Sequence, residues 1–292
     1  MNVKAANSWT TNNALGRNGG MTQNSSLDTA GPPLGWNTEI PHSARVYDYM
    51  LGGKDNYPPD REVGDELLAA MPFIRGVVRA NRAFLQRAVR FAAEVGISQF
   101  LDLGAGLPTS PSTHEVARAV DPDARVAYVD SDPILLSHAR TLLPASGGRI
   151  ALAQADVREP DRTLDLPELQ ELLDFDRPMA LMLIGLMHLF GDEHNPYGMV
   201  ARYVERLASG SYVLFSQFTA DFSPETAGEL ERISADAGEP VAMRTAEQVA
   251  RFADGLDLVD PGVVQMPYWR PDGALPADSE KVFLYAWVAR KP

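Results

Sequence analysis

Apolar residues in this chain gather into short runs, three of which close on a carboxylate and a turn. Phe100-Leu101-Asp102-Leu103 leads into Gly104-Ala105-Gly106, Arg125-Val126-Ala127-Tyr128-Val129 into Asp130, and Arg149-Ile150-Ala151-Leu152-Ala153-Gln154-Ala155 into Asp156. Short continuous apolar runs bounded by turn signals are the pattern of strands buried on both faces. The three acids are 28 and 26 residues apart. Each interval is about one strand–helix unit, so an open parallel sheet would bring all three to the edge where ligands bind.

The same pattern predicts strands at 99–103, 125–129, 149–153, 179–185, 211–217, 256–264 and 281–289, with helices near 112–120, 132–142, 196–208, 224–236 and 245–253. Strands alternating with helices describe a parallel sheet covered on both faces. The last two strands have no helix between them. Their connection, Pro267 to Glu280, is rich in Pro, Gly and Asp, which suits a long loop joining an antiparallel pair.

Upstream, residues 36–96 read as helical. Ser43 caps a first helix that stops at Gly52-Gly53, and Asp60 caps a second that runs towards Ala70. Val77, Phe84, Ala88 and Phe91 then recur at helical spacing, with Arg79, Arg82 and Arg90 on another face and Gly96 as the stop. Residues 1–35 carry Asn, Ser, Thr and Gly with almost no periodic apolar positions. They are expected to form a disordered tail, within which Met21 offers an alternative start. The chain thus divides into a tail (1–35), a helical segment (36–96) and an α/β domain (97–292).

Bulk properties narrow the partners. The chain has 292 residues, 45% hydrophobic and 22% charged, with a formal net charge of −13. An acidic surface disfavours a phosphate-backbone partner, so no nucleic acid is expected. There is no cysteine, which excludes disulfides, thiolate chemistry and Cys-ligated zinc. The longest apolar run, Met179 to Met187, is too short to span a bilayer, and no apolar signal core opens the chain. The expectation is a soluble cytoplasmic protein with no membrane or metal partner.

The candidate chemistry lies at the strand ends. Gly104 and Gly106 permit a tight turn and close approach of backbone to a ligand. Asp130 stands where ribose hydroxyls would be held, and Asp156 where an exocyclic adenine amine would donate. Each acid could instead be a cap or turn residue, although Asp132 before Pro133 is the better N-cap. His188, at the end of the fourth strand, is either a base that takes a proton from an acceptor oxygen or nitrogen or a structural histidine at the sheet edge. Tyr47 and Tyr49 point to different sides of one helix, so only one can face a pocket. Tyr268 and Trp269 either wall the pocket or cover an edge.

These residues resemble the class I S-adenosylmethionine-dependent methyltransferases. More narrowly, the chain is similar to a family of uncharacterised bacterial methyltransferases marked by Arg45-Val46-Tyr47-Asp48-Tyr49-Met50-Leu51-Gly52-Gly53-Lys54-Asp55-Asn56. Ala80-Asn81-Arg82-Ala83-Phe84-Leu85, Phe100 to Thr109, Val126 to Pro133, Leu173 to Pro178 and Val249-Ala250-Arg251-Phe252 match as well.

The resemblance implies a seven-stranded, mostly parallel sheet with a terminal antiparallel hairpin and an N-terminal helical lid. It implies that Asp102, Gly104 and Gly106 wrap the methionine part of S-adenosylmethionine, that Asp130 holds the ribose, and that Asp156 with Val157 contacts adenine. Tyr47, Asn56 and Arg82 become lid residues, with Arg82 able to pair with the cofactor carboxylate. The class often carries a third glycine near position 108, where this chain has Leu107-Pro108.

The expected activity is methyl transfer to a small-molecule acceptor. Two alternatives stand beside it. One is a cofactor-binding sensor or scaffold without turnover. The other is a nicotinamide-dependent reductase, although no tyrosine here has a lysine four residues later.

Overall fold

The computed structural model describes residues 37–107, 109–133, 137 and 147–292. The expected tail 1–35, the alternative start at Met21, Pro108 and most of the expected helix 132–142 lie outside the described residues.

Five strands run parallel at the centre: β1 (Gln99–Leu103), β2 (Arg125–Asp130), β3 (Ile150–Gln154), β4 (Ala180–Leu183) and β5 (Tyr212–Phe218). Three more follow: β6 (Asp257–Leu258), β7 (Val264–Gln265) and β8 (Leu284–Arg290). The sheet order is β3-β2-β1-β4-β5-β8-β6, with β7 also on β8. β8 lies antiparallel to β5, in a register running from Tyr212 opposite Arg290 to Phe218 opposite Leu284. This is the expected mostly parallel sheet with antiparallel strands at one edge.

The expected strand 256–264 is instead two pairs of residues, β6 and β7. Between them Pro261 cannot donate to a ladder and Gly262 has φ 79°, so the chain turns where a strand was expected. β8 starts at Leu284, three residues after the expected 281, because a short 3-10 turn occupies Ser279–Lys281.

Helices cover both faces. α1 (Ser43–Leu51), α2 (Pro58–Ala70), α3 (Ile74–Glu94) and α4 (Thr113–Val120) precede β2. α5 (Pro160–Leu164), α6 (Pro167–Leu172), α7 (Pro196–Glu205), α8 (Pro224–Asp236) and α9 (Ala246–Ala250) follow β3. α5 and α6 have only five and six residues, too few to show a helical period.

Side chains alternate across the sheet, as strand geometry requires. Along β1, Phe100 joins the core cluster that holds Val77, Phe84 and Ala88 of α3. Leu101 and Leu103 join the opposite cluster, with Leu164, Leu169 and Tyr203. Asp102 shares the Phe100 face, so its carboxylate is directed to the side covered by α3 and α4.

Two helix starts differ from expectation. The α1 cap is His42, whose Nδ1 accepts from the Ala44 N–H at 3.2 Å, and Ser43 is the first helical residue. α2 begins at Pro58, because proline is favoured in the first turn, which places Asp60 inside the helix. There its carboxylate accepts from the Tyr57 N–H at 2.8 Å and pairs with the Arg45 guanidinium at 2.9 Å.

Candidate functional site

The site is built on the turn that ends β1. Gly104 and Gly106 have φ 65° and 64°, the left-handed region that glycine enters without steric cost. The Gly104 and Ala105 N–H groups donate to the Val129 carbonyl at 2.9 and 3.1 Å. The Gly106 N–H donates to Asp130 Oδ2 at 3.0 Å. Asp130 Oδ1 accepts from the Asp132 N–H, also at 3.0 Å, so one carboxylate fastens the turn to the end of β2.

A side chain at Gly104 would collide with Leu186. At Gly106 an added Cβ would meet only the Ala44 methyl at 3.8 Å, so this backbone faces space that a ligand can use.

A cavity of about 580 Å³ opens beside the turn, within the range of about 300–1,000 Å³ typical of small-molecule sites. Asp102, Gly104, Gly106, Asp130, Asp156, Val157, Arg82, Tyr47 and His188 all line it. Residues scattered over 142 positions of sequence are therefore brought to one hollow. Asn56 does not line it. Its amide donates to Asp48 Oδ2 at 2.8 Å and to the Gly53 carbonyl at 3.1 Å, which fixes the turn after α1. Of the tyrosine pair, Tyr47 faces the cavity while Tyr49 donates to Asp65 at 2.6 Å. Trp269 is fully buried against Phe84 and Phe91, Tyr268 is exposed, and neither lines the cavity.

The electrostatics follow from burial. Asp102 accepts from Thr113 Oγ1 at 2.7 Å, yet burial pushes its carboxyl up to about 6, with Thr113 and Arg82 opposing the shift. Burial also raises Asp130, opposed by the N–H groups of Asp132 and Gly106. Asp156 is half-buried and moves the other way, because the Arg158 guanidinium at 2.6 Å holds it below the usual carboxylate range. Arg82 donates through Nη2 to the Thr109 and Pro111 carbonyls, each at 2.8 Å, so α3 grips the loop that continues from the glycine turn.

His188 carries two readings, a base for an acceptor or a structural histidine at the sheet edge. Burial, with Arg244 adding to it, pulls the imidazole down to about 3. It is 8% exposed, lies 4.4 Å from the Phe218 ring and has no hydrogen-bond partner for Nδ1 among the described residues. This is a neutral imidazole at any ordinary pH, suited to hydrogen bonding and ill suited to act as a strong base.

Three residues in or behind the site escaped the sequence reading. Arg244 is 3% exposed and donates to the Met187 carbonyl at 3.0 Å, the Phe190 carbonyl at 2.6 Å and Gln217 Oε1 at 3.2 Å, so it shapes the segment after β4. Asn81 and Ser216 form a relay. The Gly185 N–H donates to Ser216 Oγ at 2.8 Å, Ser216 Oγ donates to Asn81 Oδ1 at 2.9 Å, Asn81 Nδ2 donates to Tyr47 Oη at 3.2 Å, and Tyr47 Oη donates to the Val78 carbonyl at 3.1 Å. That relay ties α1 and α3 to the ends of β4 and β5. The signal available for Asn81 was a polar residue on the apolar stripe of α3, between Val77 and Phe84.

These features fit a nucleoside carrying an amino-acid tail. Buried carboxylates are available for a diol and an ammonium, a guanidinium for a carboxylate, and the open side of Gly106 for close approach. Among the described residues no group of three or more His, Asp or Glu side chains is placed to hold a metal ion, and no helix is long and apolar enough to cross a membrane.

Comparison with known proteins agrees. A DUF574 family protein from Streptomyces avermitilis superposes with a TM-score of 0.85 at 45% identity, over 87% of this chain and 99% of that one. A provisionally assigned methyltransferase from Thermobifida fusca superposes with a TM-score of 0.84 at 40% identity, over 90% of this chain and 99% of that one. No curated protein matches the chain. A family model described as S-adenosyl methyltransferase matches residues 32–292. The chain belongs to that family, and it is an enzyme that takes the methyl group it transfers from S-adenosylmethionine.

Proposed function

We propose that the cavity holds S-adenosylmethionine along the ends of β1, β2 and β3 and delivers its methyl group to a small molecule bound beside it. When bound, the cofactor supplies a methyl group on a positively charged sulfur, electrophilic without further activation. The observation that carries the reading is Asp130, whose carboxylate fastens Gly106, lines the cavity and ends β2.

In this reading each Asp130 oxygen, already holding one N–H, keeps a lone pair for a ribose hydroxyl. Asp102 faces the cofactor ammonium, and Arg82 turns its remaining donors to the carboxylate. Asp156 and the buried Val157 border the adenine. The segment 36–96 acts as the lid, in which Tyr47 closes the wall and Asn56 serves only to fix the turn after α1. His188 contributes a neutral hydrogen bond to the acceptor. What remains for the protein is to align the two reactants and exclude water.

Asp102 gives this assignment a pH signature. Its folded pKa is raised, so the carboxylate is charged only above about 6. Cofactor affinity should be full above that value and fall as pH drops through it, because a protonated acid cannot pair with an ammonium. Titration calorimetry with S-adenosylhomocysteine between pH 5 and 8 checks this, and a flat profile counts against the Asp102 role.

Turnover is tested by incubating the chain with S-adenosylmethionine and a bacterial metabolite extract. S-adenosylhomocysteine should accumulate faster with the extract than without it. Tight cofactor binding with no accumulation would contradict the acceptor half of the reading.

A further inference from the structure

The cavity is larger than the strand-end features account for. It continues under α1, α2, α3 and α8, where Val46, Met50, Leu67, Ile74, Val77 and Leu230 line it. These side chains are 1–8% exposed, so they wall a deep chamber and not a surface groove. The polar side chains Tyr47, Asn81 and His188 line the same cavity. All three are neutral: burial raises the Tyr47 phenol above its ordinary value and pulls the His188 imidazole down.

The ionisable groups that reach the cavity near these elements already hold hydrogen bonds within the fold. Asp48 accepts from Asn56 and from the Asp55 N–H, Glu239 accepts from the Ser43 N–H, and Arg82 is bound to the 109–111 loop. The walls of the chamber itself are apolar, so a charged group placed against them would carry a heavy desolvation cost, whereas apolar surface is favoured there.

We propose that the methyl acceptor is an uncharged, predominantly apolar molecule that fills the chamber between α1, α2, α3 and α8. This rests on the cofactor assignment above, and the test separates the two.

The full chain, saturated with S-adenosylhomocysteine, is titrated by fluorescence with N-phenyl-1-naphthylamine and with 1-anilinonaphthalene-8-sulfonate, which share a skeleton and differ by one sulfonate. The neutral probe should bind one to one with blue-shifted emission, and the anion at least about tenfold more weakly. Leu67→Trp, which fills the chamber, should lower affinity for the neutral probe at least about tenfold while S-adenosylhomocysteine affinity stays within about twofold. Where that variant no longer binds S-adenosylhomocysteine, Val46→Phe replaces it under the same criteria.

Equal or tighter binding of the anion overturns the proposal, as does an affinity for the neutral probe that neither variant changes. Failure of the unaltered chain to bind S-adenosylhomocysteine overturns the cofactor assignment instead, and the proposal with it.

Discussion

Asp130→Ala should weaken S-adenosylhomocysteine binding at least about 100-fold. Hydrogen bonds to a charged group contribute about 1.5–3 kcal/mol each, and a ribose diol offers two. The substitution also releases the Gly106 N–H, now held at 3.0 Å, so the turn loses the contact that sets its approach to the ligand. Asp130→Asn keeps one acceptor oxygen for that N–H and should fall between the two. Calorimetric titration of the three chains measures this, and affinity unchanged in Asp130→Ala would refute the ribose assignment.

Asp60→Ala should be the most damaging substitution for stability, at about 3–5 kcal/mol, the cost of leaving a buried charge without its partner. Arg45 is 2% exposed and Asp60 fully buried. Asp60 also accepts from the His42 and Tyr57 N–H groups at 2.9 and 2.8 Å, so its removal strips the starts of both α1 and α2. The paired change Arg45→Met with Asp60→Leu should recover much of the loss, since apolar replacement of both partners removes the desolvation cost. Urea unfolding of the single and double variants gives the comparison. A loss below about 1 kcal/mol for Asp60→Ala would show that Arg45 is held by other groups, Asp132 at 3.3 Å being the first of them.

The pair matters for function because Arg45 joins the helical segment to the sheet edge. Its Nη1 reaches Asp132, two residues after the acid assigned to ribose. Loosening α1 should therefore disturb the cofactor site as well as the fold.

Legibility followed the range of the interactions involved. β1 was read residue for residue, because five buried positions stop at a glycine turn and both signals are local. The convergence of Asp102, Asp130 and Asp156 on one cavity was legible too, since strand–helix spacing fixes where parallel strands end. The strand 256–264 was misread because its apolar residues match a strand while Pro261 and Gly262 divide it. α5 and α6 were missed because a helix of five or six residues has no period to detect.

The chemistry of His188 depends on distant partners. Nothing near it in sequence announces that Arg244, 56 positions later, lies beside it. Asn81 and Ser216 meet across 135 residues, so their relay exists only once α3 lies on β5. Asn56 shows the converse: it belongs to a distinctive segment, and its amide is bonded within the turn after α1.

The central claim is that the hollow at the ends of β1, β2 and β3 is the S-adenosylmethionine site. A crystal structure of the full chain with S-adenosylhomocysteine tests it most directly. Both ribose hydroxyls should lie about 2.6–3.0 Å from the Asp130 carboxylate, with adenine against Asp156 and Val157. A ligand seated elsewhere, or ribose hydroxyls facing groups other than Asp130, would contradict it.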